Sequence, residues 1–455
     1  MGGTVYDIAP LMFDSRKVKA LGLESHYRFF SEWYGQDVDV EKALSLLQTE
    51  VEPLPFTGSS SSSCAAVLFD SSKDATPSGT DMMLCLTRAL VSAASAQPRL
   101  LLIISGGAQF ANPGPQSNVA GVAHGGVWGF GRALRLEHSS LPTQVIDVSN
   151  SQAALGTVSA ALMASRCTET ILTSDVRAVP VLRQQSSVKC RGLLQAQGTW
   201  LVTGGLGGLG LYGSKLLAAK GARRIVLSSR SGQVVRQGQG LEDYLSALRS
   251  TAVALACDVG DFAQTAFLVG RYGTLHGVLH TAGIVMDQIV SGLRTFAVAE
   301  TLAPKAYAGV YLHRTSATVA LQAFVLYSSG TATFGSVGQT NYAAANTFLD
   351  TLALWRRGGF GLSASSLQPS NVGAVGMAQA ANDAGRHAVS WSLKLQDYAS
   401  SLEGLLKHCI GVHLPLPEDL TAMAVGGMEG WKRMMTMAIF DELYPLYFDA
   451  SPSTT

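Results

Sequence analysis

With 455 residues the chain is too long for one typical core and is expected to form about two or three domains. Hydrophobic residues make up 47% of it and charged residues only 14%, which excludes a disordered chain and predicts much buried surface. Its 33 Lys and Arg against 32 Asp and Glu leave a net charge of +1, so no basic field draws in nucleic acid or an anionic membrane.

The N-terminal MGGTVYDIAP lacks a basic region followed by an apolar stretch, which predicts no signal peptide. Tyr6 also stands where a myristoylation pattern needs Ser or Thr. The tract from Thr57 to Ser63, TGSSSSS, reads as a polar surface loop. CAAVLFD from Cys64 and RLLLIIS from Arg99 are brief apolar runs closed by turn residues, as buried strands are. DMMLCLTRALVSAASAQ, between them, has helical apolar spacing. Strand, helix, strand is the rhythm of a parallel α/β sheet. It continues with a helix over Gly125 to His138, a strand over Thr143 to Val148, a helix over QAALGTVSAALMAS, and strand pieces in ETILTSD and VRAVPVLRQ. A polar junction, Gln184 to Gly192, closes this half, which is read as a complete or truncated doubly wound unit without a glycine-rich turn of the dinucleotide kind.

A second α/β unit begins with TWLVTGGLGGLG. Its first strand is expected to end at Thr203 and its helix to start near Gly210. Further strands follow in RRIVLSS, AVALACDV, LHGVLHTAG and LQAFVLYSSG, and residues 196 to about 400 are read as a Rossmann domain. Beyond Leu367 the pattern loosens. The Met- and aromatic-rich residues 417–455 are expected to hold a helix packed on the core, or a docking element for a neighbouring domain.

Gly205-x-Gly207-x-x-Gly210 sits between a strand and a helix, where a side chain would keep the backbone from a pyrophosphate and free N–H groups would meet its charge. Gly204, Leu206, Gly208 and Leu209 complete this candidate cofactor turn. The second strand of the unit ends in Ser229 and Arg230 rather than in the carboxylate of an NAD site, so NADPH is expected, with Arg230 on the 2′-phosphate. Asp258 and Val259 end the third strand near the expected adenine, and Thr281, Ala282 and Gly283 end the fourth near the expected ribose.

Six cysteines lie scattered without a C-x-x-C pair, and the histidines show no H-x-x-x-H spacing. They read as reduced thiols of an intracellular, cytoplasmic protein, and no metal site is expected. No apolar run approaches the length of a membrane span.

In FVLYSSGTATFGSVGQTNYAAANTFLD, Ser329 precedes Tyr342 by 13 residues and Asn346 follows it by four. This Ser–Tyr pair resembles the short-chain dehydrogenase/reductase superfamily, whose ordinary members carry Lys where Asn346 stands. Lys305, in TLAPKAYAGVYLH, lies 37 residues before Tyr342. That exchange of Lys and Asn resembles the ketoreductase domains of modular polyketide synthases and animal-type fatty acid synthases, as do TGGLGGLG, VLHTAGI and, in the first half, VWGFGRALRLEH. The resemblance implies two Rossmann-like subdomains: a cofactor-free structural one over residues 1–192 and a catalytic one over 193–415, with a lid near 367–395 and a C-terminal helix or linker over 416–455. It further implies NADPH-dependent reduction of the β-keto group of an acyl chain held on a carrier protein by phosphopantetheine, with other synthase domains as partners. Tyr342 would be the proton donor, Ser329 the holder of the carbonyl oxygen, Lys305 the cation that supports the phenolate and binds the nicotinamide ribose, and Asn346 the residue that orients Lys305 through water.

In this family a Leu-Asp-Asp signature after the H-x-A-G segment accompanies the B-type product, a D-hydroxyl, and a Trp eight residues before the tyrosine accompanies the opposite hand. Here the stretch reads Val285-Met286-Asp287, the Trp position is Phe334, and Gln339 stands three residues before the tyrosine. With Ala344 where epimerisation-associated members carry Pro, the pattern favours the B-type. LQPSNVGAVGMAQAANDAG replaces the family's Trp-Gly-x-Trp lid stretch, and Ser231 stands at a second phosphate-binding arginine position. No ketosynthase cysteine context and no carrier attachment motif is found, so a carrier-bound substrate would come from outside. Two other readings remain: a catalytically silent scaffold, against which the complete tetrad argues, and a reductase of free small ketones, against which Asn346 and the upstream half argue.

Overall fold

Short runs of Val, Ile and Leu hide both faces of a strand, so helices must cover the sheet they form, and parallel order follows. The computed structural model describes residues 64–69, 77, 79–92, 100–106, 122–148, 168–172, 177–178, 195–234, 240–369, 372, 393–408 and 412–413. The expectations for the serine tract, the helix at 152–165, the junction at 184–192, most of the lid and residues 417–455 lie outside these residues.

The first half forms β1 (Cys64–Phe69), α1 (Thr80–Ser92), β2 (Leu100–Gly106), α2 (Gly126–Glu137), β3 (Thr143–Val148), β4 (Glu169–Leu172) and β5 (Arg177–Ala178). Its sheet runs in the order β1-β2-β3-β4-β5, parallel except for the last pair. Among the described strands this order never reverses, so this sheet offers no crevice of the kind that receives a dinucleotide at a switch point.

The second half forms β6 (Thr199–Thr203), α3 (Gly208–Ala219), β7 (Arg224–Ser229), α4 (Leu241–Ala247), β8 (Ala252–Ala256), α5 (Phe262–Arg271), β9 (Leu275–His280) and α6 (Thr295–Leu302). A π-turn, Ala303–Tyr307, then leads into α7 (Ala308–Ser316), β10 (Ala323–Tyr327), α8 (Gly330–Phe334), α9 (Thr340–Phe360), β11 (Ser365–Leu367), α10 (Leu395–His408) and β12 (Val412–His413). All pairs of this sheet are parallel, in the order β12-β11-β10-β9-β6-β7-β8. The order reverses between β6 and β9, and the crevice above their carboxyl ends is where the fold receives a ligand. Both halves are thus parallel Rossmann-like α/β units. Two local details differ from expectation. The first helix of the second unit starts at Gly208, two residues earlier, and Ser329 lies past the strand as the N-cap of α8. The ladder to β11 ends at the Tyr327–Leu367 pair, which frees the chain to turn there. Among the described residues no helix is long and apolar enough to cross a membrane.

The two halves meet along α2 and α9. Gly129 of α2 lies so close that an added Cβ would stand 2.3 Å from the Ala343 carbonyl oxygen and 2.2 Å from Thr347 Oγ1. Trp128 anchors the other side of α2 through Nε1 to Ser105 Oγ (3.0 Å), and that hydroxyl donates to Asp147 (2.9 Å). With Trp128 held, α2 cannot retreat from an added methyl. Gly129→Ala is therefore expected to cost about 1–3 kcal/mol by overpacking. An unchanged melting temperature would refute this contact.

Candidate active site

The glycine turn links β6 to α3. Gly204 has φ +68°, and a Cβ there would meet the Ala282 backbone at 2.6 Å, so this first glycine serves the passage between β6 and β9. Gly207 differs. Among the described residues a Cβ on it would meet only the Gly204 carbonyl oxygen, at 3.3 Å, a tight contact but far milder than the one at Gly204, so this flank of the turn is the more open one. Gly207 N-caps α3 without any side-chain bond to its first-turn N–H groups, which leaves them for an anion. Leu206 is fully buried beneath the turn. At the end of β7, Ser229 donates to the Gln233 carbonyl (3.2 Å) and Arg230 is exposed. Asp258 already accepts from the Gly260 N–H (2.9 Å), next to buried Val259, and Thr281 bonds back to the Thr203 carbonyl (2.8 Å). Gly283 admits the lysine: a Cβ there would stand 2.7 Å from Lys305 Cε.

Lys305 sits in the π-turn, a local widening that recurs at functional sites. Its ammonium donates to the Tyr327 carbonyl (2.8 Å) and stands 5.2 Å from the centre of the Tyr342 ring. Burial pushes its pKa down to about 7, partly offset by the charge of Asp350. His280, the last residue of β9, pins the turn: its Nε2 bonds the Lys305 carbonyl (3.0 Å) and its Nδ1 meets Thr203 Oγ1 (2.7 Å). Burial holds this imidazole near pKa 4 and therefore neutral. A carbonyl can only accept, so Nε2 carries the proton and Nδ1 accepts from the threonine.

Tyr342 lies in the first turn of α9, with Asn341 fixing that turn from the Met286 carbonyl and Thr301 Oγ1, both at 3.1 Å. Burial pushes the Tyr342 phenol up to about 12, against the opposing pull of the Asn346 and Ser329 side chains. Ser329 Oγ caps α8 through the Thr331 N–H (3.3 Å) and meets Thr331 Oγ1 (2.9 Å). Asn346 and Lys305 are not bonded directly. The Asn346 amide donates to the Tyr342 carbonyl (2.8 Å), and its Oδ1 is buried without a partner among the described residues. Asp350, further along α9, accepts from Ser366 (2.5 Å) and Gln368 (2.7 Å), and burial raises its pKa to about 6.

Beside these groups, exposed Asp287 accepts from Gln339 Nε2 (2.9 Å), while Phe334 ends α8 half-buried. The structure thus gathers Lys305, Ser329, Tyr342 and Asn346 at the carboxyl ends of β9 and β10, with Asp287 and Gln339 alongside. Sequence reasoning missed His280, the Tyr327 carbonyl and Thr331. A histidine inside an otherwise apolar strand was the one available signal, since a buried polar side chain requires partners.

Residues 198–373 match the family model described as KR domain. The chain is 35% identical over 312 residues to the polyketide synthase GfsA of Streptomyces halstedii, covering 66% of this chain and 4% of that protein. It is 36% identical over 223 residues to a mycocerosic acid synthase-like polyketide synthase of Mycobacterium tuberculosis, covering 48% and 10%. The chain therefore spans only a small fraction of these curated relatives. Among solved structures, the first ketoreductase of the tylosin polyketide synthase aligns with TM-score 0.71 and 27% identity over 91% of this chain and 88% of that one. An A-type ketoreductase from a modular polyketide synthase aligns with TM-score 0.68 and 27% identity over 91% and 84%. With this match, two largely parallel Rossmann-like sheets and Tyr342 set against Lys305, residues 198–373 belong to the KR domain family, and the chain is similar to the ketoreductases of modular polyketide synthases, oxidoreductases that use a nicotinamide cofactor.

Proposed function

We propose that this chain reduces the β-keto group of a carrier-bound β-ketoacyl thioester with NADPH, leaving a D-configured β-hydroxyl. The observation that carries the reading is the buried Lys305 ammonium 5.2 Å from the Tyr342 ring centre, beside Ser329. The open flank of Gly207 and the uncapped start of α3 suit a pyrophosphate, and exposed Arg230 suits a 2′-phosphate. When bound, the cofactor supplies hydride to the carbonyl carbon. The protein supplies the rest. Ser329 Oγ donates to the ketone oxygen and polarises it. Tyr342 passes its proton to that oxygen as charge builds there, and Lys305 stabilises the phenolate left behind until solvent restores the proton. Asn346 holds the Tyr342 carbonyl and with it the first turn of α9.

In this reading residues 1–192 are a structural subdomain, 193–415 the catalytic one with its lid near 367–395, and 416–455 a C-terminal helix or linker. Partners are an acyl carrier protein, which delivers the chain on phosphopantetheine, and the other domains of a cytoplasmic synthase. The Asp287–Gln339 pair and the Phe334 position support the B-type hand. NADPH oxidation, followed by absorbance with a β-ketoacyl N-acetylcysteamine thioester, tests the activity: no consumption sinks it, and an L-hydroxyl product sinks the stereochemical assignment. Arg230→Asp is expected to raise KM for NADPH by about tenfold or more, given 1.4 kcal/mol per tenfold for a lost charge contact, while sparing NADH. Equal KM values would remove Arg230 from the phosphate site.

A further inference from the structure

The end of α2 reaches across to the catalytic half. Glu137 Oε2 accepts the Val290 N–H (2.7 Å), and its Oε1 accepts the Gly338 N–H (2.9 Å). One carboxylate thus holds two separate loops, one carrying Asp287 and the other Gln339. The loops also touch directly: the Gln288 N–H donates to the Gly338 carbonyl (2.8 Å), and Gln339 Nε2 donates to Asp287 (2.9 Å). From Gln339 the connection runs on through Thr331 Oγ1 (3.5 Å) to Ser329 Oγ, 2.9 Å beyond. Nearby, Arg132 Nη1 donates to the Ala332 carbonyl (2.6 Å), and Glu169 holds that guanidinium at 2.7 and 2.8 Å. A Cβ on Gly335 would stand 2.8 Å from the Arg132 backbone, so the second loop rests on α2 itself.

We propose that Glu137 is a positioning residue: by setting the separation of the 286–290 and 335–339 loops, it selects which face of the ketone meets the hydride. This rests on the ketoreductase reading above. With the hydride donor fixed on one side, the hand of the alcohol depends on how the walls around Ser329 and Tyr342 orient the ketone. Two backbone donors converging from different loops need two acceptor oxygens at a fixed span. Glutamine offers one oxygen and turns an NH2 toward the other N–H, so Glu137→Gln keeps the volume and releases one loop. Aspartate keeps the charge but falls one methylene short.

The test uses the full chain with NADPH and a β-ketoacyl N-acetylcysteamine thioester. Chiral chromatography reads the alcohol ratio, with melting temperature and hydrogen exchange at 286–292 and 335–340 measured on the same proteins. Glu137→Gln is expected to raise the minor-to-major alcohol ratio by about tenfold, which corresponds to about 1.4 kcal/mol between competing transition states. In Glu137→Gln exchange should speed up at the segment whose N–H loses its acceptor, and Glu137→Asp should shift the ratio in the same direction. A wild-type ratio in both variants overturns the proposal, as does a ratio that changes only in step with a falling melting temperature. An inactive wild type would sink the ketoreductase reading instead, and unchanged exchange in both variants would then overturn the clamp on its own.

Discussion

Replacing Tyr342 by Phe is expected to lower kcat/KM by about 10²–10⁴-fold, the usual worth of a positioned general acid. The phenylalanine keeps the ring in its place in α9, so melting temperature and NADPH affinity should stay close to wild type. The loss is specific because, among the described residues, no other acid stands ready. Ser329 can donate a hydrogen bond but is far too weak an acid to give up its proton, and Asp350 is held by Ser366 and Gln368. The phenol stands at about 12 through burial, so it is fully protonated at neutral pH and gives up its proton only to a developing alkoxide beside a cation. Steady-state rates with the thioester surrogate decide the matter, and a rate equal to wild type would remove Tyr342 as the acid.

Lys305→Met should lower kcat/KM by about 10²–10³-fold, comparable to removing one preorganised charge-stabilising donor. Its pH dependence is the sharper test. Lys305 titrates near 7 in the structure because burial disfavours its charge. The proposed reaction needs the ammonium, so wild-type kcat/KM should fall as pH rises through about 7, and this limb should vanish in the methionine variant. Stability runs the other way. The unfolded chain holds a proton on this lysine up to its ordinary 10.5, so between about 7 and 10.5 the unfolded state binds more protons and wild-type stability rises with pH. Methionine removes the penalty of burying a charge, so the variant should melt higher than wild type below pH 7, with the advantage shrinking toward pH 10.5. A pH-independent difference in melting temperature would show that Lys305 is not buried as a strained cation.

The strands could be read closely because a two-faced buried strand needs an uninterrupted apolar run, and the chain contains such runs between turn residues. Boundaries were harder. α3 starts at Gly208 because Gly207 already adopts the extended cap conformation, a choice made by the turn rather than by helix propensity. The strand order was not legible: the reversal between β6 and β9 depends on right-handed crossovers packing over one shared sheet, not on any single segment. His280 and the Tyr327 carbonyl escaped notice for a related reason. Each acts through a backbone group or a hidden ring nitrogen, and residue type alone does not reveal such partners.

Sequence by itself determined which functional groups this protein can offer. Tyr342, Ser329, Asn346 and an upstream Lys305 at their spacings resemble one branch of reductases, and the glycine turn and Arg230 are what we read as its cofactor site. Their functional groups follow from covalent structure and needed no coordinates. Only the tertiary structure decided how those groups are tuned. Burial shifts Lys305 toward neutrality and raises Tyr342, because desolvation depends on what the chain packs around a group. It also decided that the half of the chain without a cofactor turn reaches the loops that carry Asp287 and Gln339. Glu137 lies 153 residues from Val290 and 201 from Gly338, and contacts of that range exist only once α2 has docked against α9.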